Sequence, residues 1–285
     1  MTTAPLVAIG DNCLDAFLSK DMLAVGGNAL NVAVQWRRMG RDARYFGTVG
    51  PDPEGDVMLA EIETAGLRRG DVEVRPGETA VTLLRDREGD RIILTESLGV
   101  GENYMPAPSA FAAVGEAAWV HLGTHSNPDL VRRLAAGRVP FSVDVSTHHD
   151  ALSLCGAPLV FASGSDEAGF DPAPLIAQLR ALGAGRVVVT CGSRGAFFDD
   201  GSHLRHALAM PVDVVDTCGA GDSFIATFVT AHLVDRRDAD EALRMACAAA
   251  GETCRHLGGF PQTLRRIPDW LPEKYAGVIA AGQEA

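Results

Sequence analysis

Short apolar runs alternate with longer helical stretches along almost the whole chain, and this alternation constrains the fold more than any other feature. The runs at 6–10, 44–49, 119–122, 141–145, 159–162 and 187–190 are rich in β-branched or aromatic residues. They are apolar throughout rather than at every second position, so both faces of such strands must be covered. Helical patterns fall near 28–40, 54–66, 128–137, 172–183, 222–234, 238–256 and 267–281. Strands buried on both faces and separated by helices predict an α/β fold, a doubly wound and mostly parallel sheet flanked by helices. In such sheets ligands bind beyond the carboxyl ends of the strands, which makes the residues just after each strand the functional candidates. One stretch interrupts the rhythm. Residues 79–85 and 91–95, separated by 86–90 with Glu88-Gly89-Asp90 as turn material, predict a β-hairpin, and residues 11–25 predict a second short antiparallel piece. The 285 residues are therefore read as a single domain, 1–285, with small β-lid elements near 11–25 and 77–96.

The bulk properties exclude several partners. A net charge of -12 argues against nucleic acid, because binding a polyanion needs a cationic surface that releases counterions. The first ten residues form one short strand-like run without a basic leader, and nothing approaches the length of a membrane span. The cysteines at 13, 155, 191, 218, 247 and 254 show no C-x-x-C pair, so a reducing cytoplasm is the expected setting. Only Lys20 and Lys274 are lysines, so there is no G-K-[ST] and no Walker A loop. The lysine and H-R-D loop of protein kinases are missing too.

The most informative string is Val214-Val215-Asp216-Thr217-Cys218-Gly219-Ala220-Gly221-Asp222-Ser223-Phe224, followed by a helix of small and apolar residues. Glycines at 219 and 221 let backbone N–H groups turn toward a ligand, and a helix N-terminus can hold an anion without lysine. A carboxylate in that first turn could accept a hydroxyl proton while the N–H groups neutralise a transferred phosphoryl group. Taken locally, the same residues also suit an ordinary glycine turn with an acidic helix start. A dinucleotide fingerprint is the poorer match, since Phe224 stands where a third small residue is required.

The full string resembles the signature of the PfkB (ribokinase-like) carbohydrate kinases. Gly26-Gly27-Asn28-Ala29-Leu30-Asn31-Val32-Ala33 and Thr190-Cys191-Gly192-Ser193-Arg194-Gly195-Ala196 match two further motifs of that family, in the family's order. The resemblance spans about 5–260 and implies a ribokinase-like fold and an ATP-dependent phosphotransferase acting on an alcohol group. It further implies Asp222 as catalytic base, with Gly219, Ala220 and Gly221 as anion hole. Thr190, Gly192 and Gly195 would lie against the nucleotide, and Ala249 and Gly259 would border the adenine. Mg2+ would come with ATP. Asp216 and Cys218 match positions whose backbone carbonyls hold a monovalent cation in several members, so K+ is admitted as a further cofactor. The family's N-x-x-E magnesium motif should fall at Ser163-Gly164-Ser165-Asp166-Glu167, where Ser replaces Asn and Asp166 or Glu167 would serve the metal.

At the substrate end Asp11 follows the first strand, and Asn28 and Asn31 share a helix face, so the three carry donors and acceptors suited to a polyol. Asn28 also reads as a helix N-cap after Gly26 and Gly27. The family places its sugar contacts at Asp11, Gly27, Asn28 and Asn31. Ile9-Gly-Asp-Asn-Cys-Leu-Asp15, the glycine-asparagine motif and Asp222-Ser-Phe-Ile-Ala226 look most like the fructosamine kinases, fructoselysine 6-kinase among them. The expected substrate is therefore fructoselysine or a related fructosyl-amino acid, phosphorylated on its primary hydroxyl. A free ketose, ribose or a nucleoside is the alternative, and a non-catalytic sugar- or nucleotide-binding member the second. Glu96, Arg85 and Arg91 could meet the charges of an amino-acid moiety, or simply be solvated. His125 and Asp144 follow strands and are pocket candidates. His148-His149-Asp150 and His203-x-x-His206 lack the further ligands of a zinc site. Thr79, Val81, Leu83 and Ile93 alternate in a way that suits a homodimer paired through the lid.

Overall fold

A computed structural model describes residues 4–87, 90–149 and 154–284, with the side chains of 86–91 and 282–284 outside the description. The predicted turn at Glu88 and Gly89, and Asp150, lie outside the described residues.

The strands are β1 (Leu6–Ile9), β2 (Cys13–Phe17), β3 (Met22–Gly26), β4 (Ala43–Val49), β5 (Val72–Val74), β6 (Val81–Arg87), β7 (Asp90–Ser97), β8 (Trp119–Leu122), β9 (Phe141–Asp144), β10 (Leu159–Ser163), β11 (Val187–Thr190), β12 (Ala196–Asp199) and β13 (Leu204–Ala207). The α-helices are α1 (Asn28–Arg38), α2 (Pro53–Thr64), α3 (Ala110–Gly115), α4 (Pro128–Ala136), α5 (Ala173–Ala181), α6 (Ala220–Phe228), α7 (Ala239–Thr253), α8 (Trp270–Lys274) and α9 (Ala276–Glu284). The single C-terminal helix expected at 267–281 is two helices with a break at Tyr275. The last turns of the predicted 222–234 helix are a π-helix, Val229–Val234, continuing α6.

The main sheet has nine strands in the order β13-β12-β11-β10-β9-β8-β1-β4-β5. Neighbours from β11 through β5 pair in parallel, and β12 and β13 add an antiparallel edge. Continuous apolar runs have the expected consequence: Leu6 and Ala8 enter one core while Val7 and Ile9 enter the other. Helices α1, α2, α6 and α7 cover the first face, and α3, α4 and α5 the second. On the first face Phe161, Phe198, Phe224 and Phe228 make edge and stacked ring contacts beneath α6. Each large side chain buried in this way stabilises the fold by about 1.5–3 kcal/mol.

Strand order runs outward from β1 to β4 and β5 on one side and from β8 to β11 on the other. The crevice at the carboxyl ends of β1 and β8 is thus the topological switch point, where ligands of such sheets bind.

A second sheet has four strands, β3-β2-β6-β7. Strands β2 and β6 pair in parallel, between two antiparallel pairs. The two lid segments read separately from the sequence therefore join into one sheet. Asp52 anchors it to the main body: it caps α2 through Gly55 N–H and also accepts from the Thr79 N–H and hydroxyl. The alternating face considered for dimerisation divides differently from its sequence pattern. Thr79, Val81 and Leu83 are buried within this chain, whereas Ile93 is 56% exposed. A register shift between Leu83 and Leu84 places Ile93 opposite Leu84 and breaks the simple alternation.

Candidate active site

The polar cluster in the crevice is built from five elements. Asp11 follows β1, Asn28 and Asn31 lie in the first turns of α1, Thr124 follows β8, Asp144 ends β9, and Asp222 lies in the first turn of α6. The N-cap of α1 is Gly27, so Asn28 is the first helical residue and its side chain is not the cap. Instead Asn28 Nδ2 donates to Asp222 Oδ1 at 2.6 Å and to Asp144 Oδ2 at 2.9 Å. Asn31, one turn on, donates from Nδ2 to Asp222 Oδ2 at 2.6 Å. Asp11 takes the backbone N–H groups of Asn28 and Ala29 at 2.6 and 3.2 Å, a carboxylate seated on the positive end of α1. Packing of α1 against α6 fixes these distances, and Trp36 Nε1 pins the pair through the Ala226 carbonyl at 3.1 Å.

Three carboxyls this close, Asp222 buried and Asp11 and Asp144 half-buried, repel one another. Burial raises the Asp222 carboxyl well above the ordinary carboxylate range; the Asn31 hydrogen bond opposes this, and the Asp144 and Asp11 charges add to it. Asp144 is pushed up to about 6, chiefly by burial, and Asp11 is also raised, chiefly by burial. Such a cluster is costly at neutral pH, and a proton-accepting role is a reason for a fold to keep it.

The sequence reading did not single out His121, in the middle of β8. It is fully buried, and burial drops its imidazole to about 3, so it is neutral. Trp119 Nε1 donates to Ser142 Oγ at 3.0 Å; because Asn28 Oδ1 beside His121 Nε2 can only accept, the Ser142 hydroxyl donates to His121 Nδ1, also at 3.0 Å. His121 Nε2 then carries the proton and faces Asn28 Oδ1 at 3.4 Å. This chain holds the Asn28 amide with its NH2 toward Asp144 and Asp222. The signal was available: one histidine inside a buried apolar strand demands an internal partner.

Gly219 caps α6 in the left-handed conformation, φ 74°, and a Cβ there would overlap Gly259. Ser223 N–H makes the first intrahelical bond, to the Gly219 carbonyl, and Ala220 N–H turns back to the Thr217 carbonyl. The N–H groups of Gly221 and Asp222 thus precede the helical ladder, and the place where a Gly221 Cβ would stand is open. The Asp216 carboxylate, 2% exposed, braces this turn by accepting from the N–H groups of Cys218 and Gly258 at 3.0 and 2.9 Å. Gly259, expected near the adenine, packs against Gly219 and Asn31. Ala249 accepts the Ser223 hydroxyl through its carbonyl at 3.2 Å.

The second glycine loop lies after β11. Thr190 ends the strand, Gly192 has φ 50° and Gly195 φ 89°, and a Cβ at Gly195 would overlap the Ala207 carbonyl oxygen. Asp166 is exposed and lies directly beside Gly192. Arg194 ties the two loops together by donating to the Glu167 and Phe170 carbonyls at 2.8 and 2.9 Å. Among the described residues no three His, Cys, Asp or Glu side chains converge as a metal site, and no helix is long and apolar enough to cross a membrane. His206 stacks on Phe197, and Glu96 is exposed.

Comparison with known proteins agrees with this arrangement. The family model described as pfkB family carbohydrate kinase matches residues 19–137 and 145–263. The chain is similar to fructosamine kinase FrlD of Bacillus subtilis (strain 168), 31% identical over 265 residues, covering 90% of this chain and 92% of that protein. It is similar to fructoselysine 6-kinase of Escherichia coli (strain K12), 29% identical over 264 residues, covering 90% and 99%. Its fold matches that of Arabidopsis thaliana ribokinase, solved with ribose and ATP, at a TM-score of 0.75 and 22% identity over 90% of this chain and 94% of that one. A crevice at the switch point, a carboxylate in the first turn of α6, and a family match over most of the length give one conclusion: this chain belongs to the pfkB family of carbohydrate kinases.

Proposed function

We propose that this chain transfers a phosphoryl group from ATP to the primary hydroxyl of a fructosyl-amino acid, such as fructoselysine, giving the 6-phosphate. The observation that carries the reading is Asp222. Its carboxylate is held between the amides of Asn28 and Asn31, beside the open N-terminal turn of α6. A hydroxyl in front of Asp222 would give it a proton as the oxygen attacks, and burial makes this carboxylate a stronger base than one in water. The N–H groups of Gly221 and Asp222, in the Gly219-Ala220-Gly221 turn, offset charge on the transferred group. Asn28, Asn31 and Asp11 orient the sugar hydroxyls, and the small backbone at Gly27 lets α1 start against them.

When bound, ATP supplies the phosphoryl group and brings Mg2+. The turn at Gly192 and Gly195 presents backbone rather than side chain, which suits Thr190, Gly192 and Gly195 as a nucleotide cradle, with Ala249 behind Ser223 and Gly259 behind Gly219. Mg2+ keeps most of its ligands as water and phosphate oxygens, so one or two carboxylates suffice, and Asp166 beside Gly192, with Glu167 next to it, has the right character. The Asp216 and Cys218 carbonyls are the candidate K+ ligands in the braced turn.

A coupled ADP-release assay with ATP and Mg2+, with and without K+, tests the reading across fructoselysine, other fructosyl-amino acids, fructose, ribose and nucleosides. Preference for a fructosyl-amino acid is expected. Turnover confined to a free sugar or nucleoside would refute the ketosamine, and silence with every acceptor would refute the transferase role.

A further inference from the structure

A cavity of about 200 Å3 opens beside Asp144, with Asp222 not among its lining residues, well above the ~30 Å3 that one water occupies in the liquid. Its polar lining comprises Glu102, Asn103, Thr124, His125, Ser126, Asp144 and His148. Asp144 joins it to the reacting end: one oxygen takes the Asn28 amide at 2.9 Å and the Thr124 hydroxyl at 3.3 Å. The rings of His125 and His148 meet edge to face at 4.7 Å and form one wall. A smaller recess shares Thr124, His125 and Ser126 with this cavity and reaches Asp11 and Asn12. Asn12 is 4% exposed, and its Nδ2 is committed to the Tyr45 hydroxyl and the Thr48 carbonyl. Its Oδ1 has no partner among the described residues.

The charge of this lining leans one way. Glu102, Asp144 and, in the recess, Asp11 supply carboxylates and Asn12 Oδ1 an acceptor, against the two imidazoles of His125 and His148, and no arginine or lysine lines either space among the described residues. An anionic substituent such as a phosphate would meet three carboxylates with only the two imidazoles to offset them, whereas a protonated amine would meet acceptors. We propose that this cavity binds a substituent carried by the sugar at the end away from Asp222, and that the substituent is a protonated amine, as on a ketosamine. The inference rests on the proposed kinase reading for where the sugar lies, and it names Glu102 and the wall beside Ser126 as determinants of specificity.

Two substitutions outside the catalytic cluster test it. Ser126→Phe fills the cavity, and Glu102→Gln removes a charge while keeping the shape. With Ser126→Phe, kcat/KM for fructoselysine should fall at least about ten-fold while that for fructose changes less than about two-fold. With Glu102→Gln, KM for fructoselysine should rise about two- to five-fold, the range of a partly solvated ion pair, with fructose unaffected. Wild type should discriminate against fructose 1-phosphate relative to fructose. Equal losses on fructoselysine and fructose, or acceptance of the phosphate as readily as fructose, would overturn the proposal and leave the kinase reading standing. If no acceptor is phosphorylated, the kinase reading fails. Calorimetric titration then still decides the cavity: fructoselysine binding no tighter than fructose, in wild type and Ser126→Phe alike, would overturn it.

Discussion

The polar cluster at Asp222 and the turn after β11 are built by opposite means. The cluster, proposed above as the sugar-binding acceptor end, is made of side chains, with Asp11, Asn28, Asn31, Asp144 and Asp222 joined by hydrogen bonds of 2.6–3.2 Å and supported by His121 and Ser142. The turn after β11 is made of backbone, where left-handed Gly192 and Gly195 leave no room for a side chain at Gly195. Side chains with directed donors and acceptors discriminate among hydroxyl patterns, and they do so by burying charge that destabilises the fold. A backbone cradle discriminates less and depends on conformations that glycine alone adopts without strain. The acceptor end should therefore fail in catalysis when changed, and the β11 turn in stability.

Substitutions can break this contrast, beginning with the largest effect. Asp222→Asn should lower kcat by about 10²–10⁴-fold, the usual range for a general base, with thermal stability kept or raised. Measured turnover within a few-fold of wild type would remove Asp222 from the mechanism. Gly195→Ala should do the reverse. The Cβ overlaps the Ala207 carbonyl at a φ of 89°, so urea denaturation should show a loss of at least about 2 kcal/mol. A smaller effect is expected at His121. His121→Phe leaves Asn28 Oδ1 and the Ser142 hydroxyl without their partner, and kcat/KM should drop about ten-fold. His121→Gln, which restores a donor, should recover part of that loss, whereas a purely packing role predicts better recovery by a second apolar residue.

The smallest effect concerns pH. Asp144 ionises at about 6 in the folded protein against 3.8 ordinarily, so the native state holds this proton longer than the unfolded chain. The stability enjoyed by the protonated form is then lost as pH rises from about 4 through about 6. At pH 7 the Asp144 charge destabilises the fold, and Asp144→Asn should raise Tm by about 2–5 °C there but not at pH 4. Because the Asp144 charge also helps hold the Asp222 carboxyl up, the same variant should move the acid limb of kcat/KM to lower pH. An unmoved limb would show that the two carboxyls do not act on each other.

Much of this was legible in the chain itself. The central strands β1, β4, β8, β9, β10 and β11 stood out because being apolar on both faces leaves a continuous run. Strands β5, β12 and β13 did not, since they are only three or four residues long and polar residues such as Glu73, Asp199, Arg205 and His206 interrupt the apolar run. Asp222 and the glycines before it were readable because a helix start and a tight turn are local events. The pairing of Asn28 with Asp144 and Asp222 was not, because these partners lie 116 and 194 residues away and meet only through the packing of α1 against β9 and α6.

By itself, then, the sequence determined the layered α/β plan, the glycine turns and the carboxylate at the head of α6, all of which depend on neighbours within a few residues. Tertiary structure decided the rest. It joined two separate lid segments into one sheet, turned Asn28 from a candidate cap into a ligand of two carboxylates, and set His121 beneath it. It also opened the cavity beside Asp144 that carries Glu102, His125 and His148. These features are distances between residues remote in the chain, and they are fixed only when the helices pack on the sheet and buried polar groups find their partners.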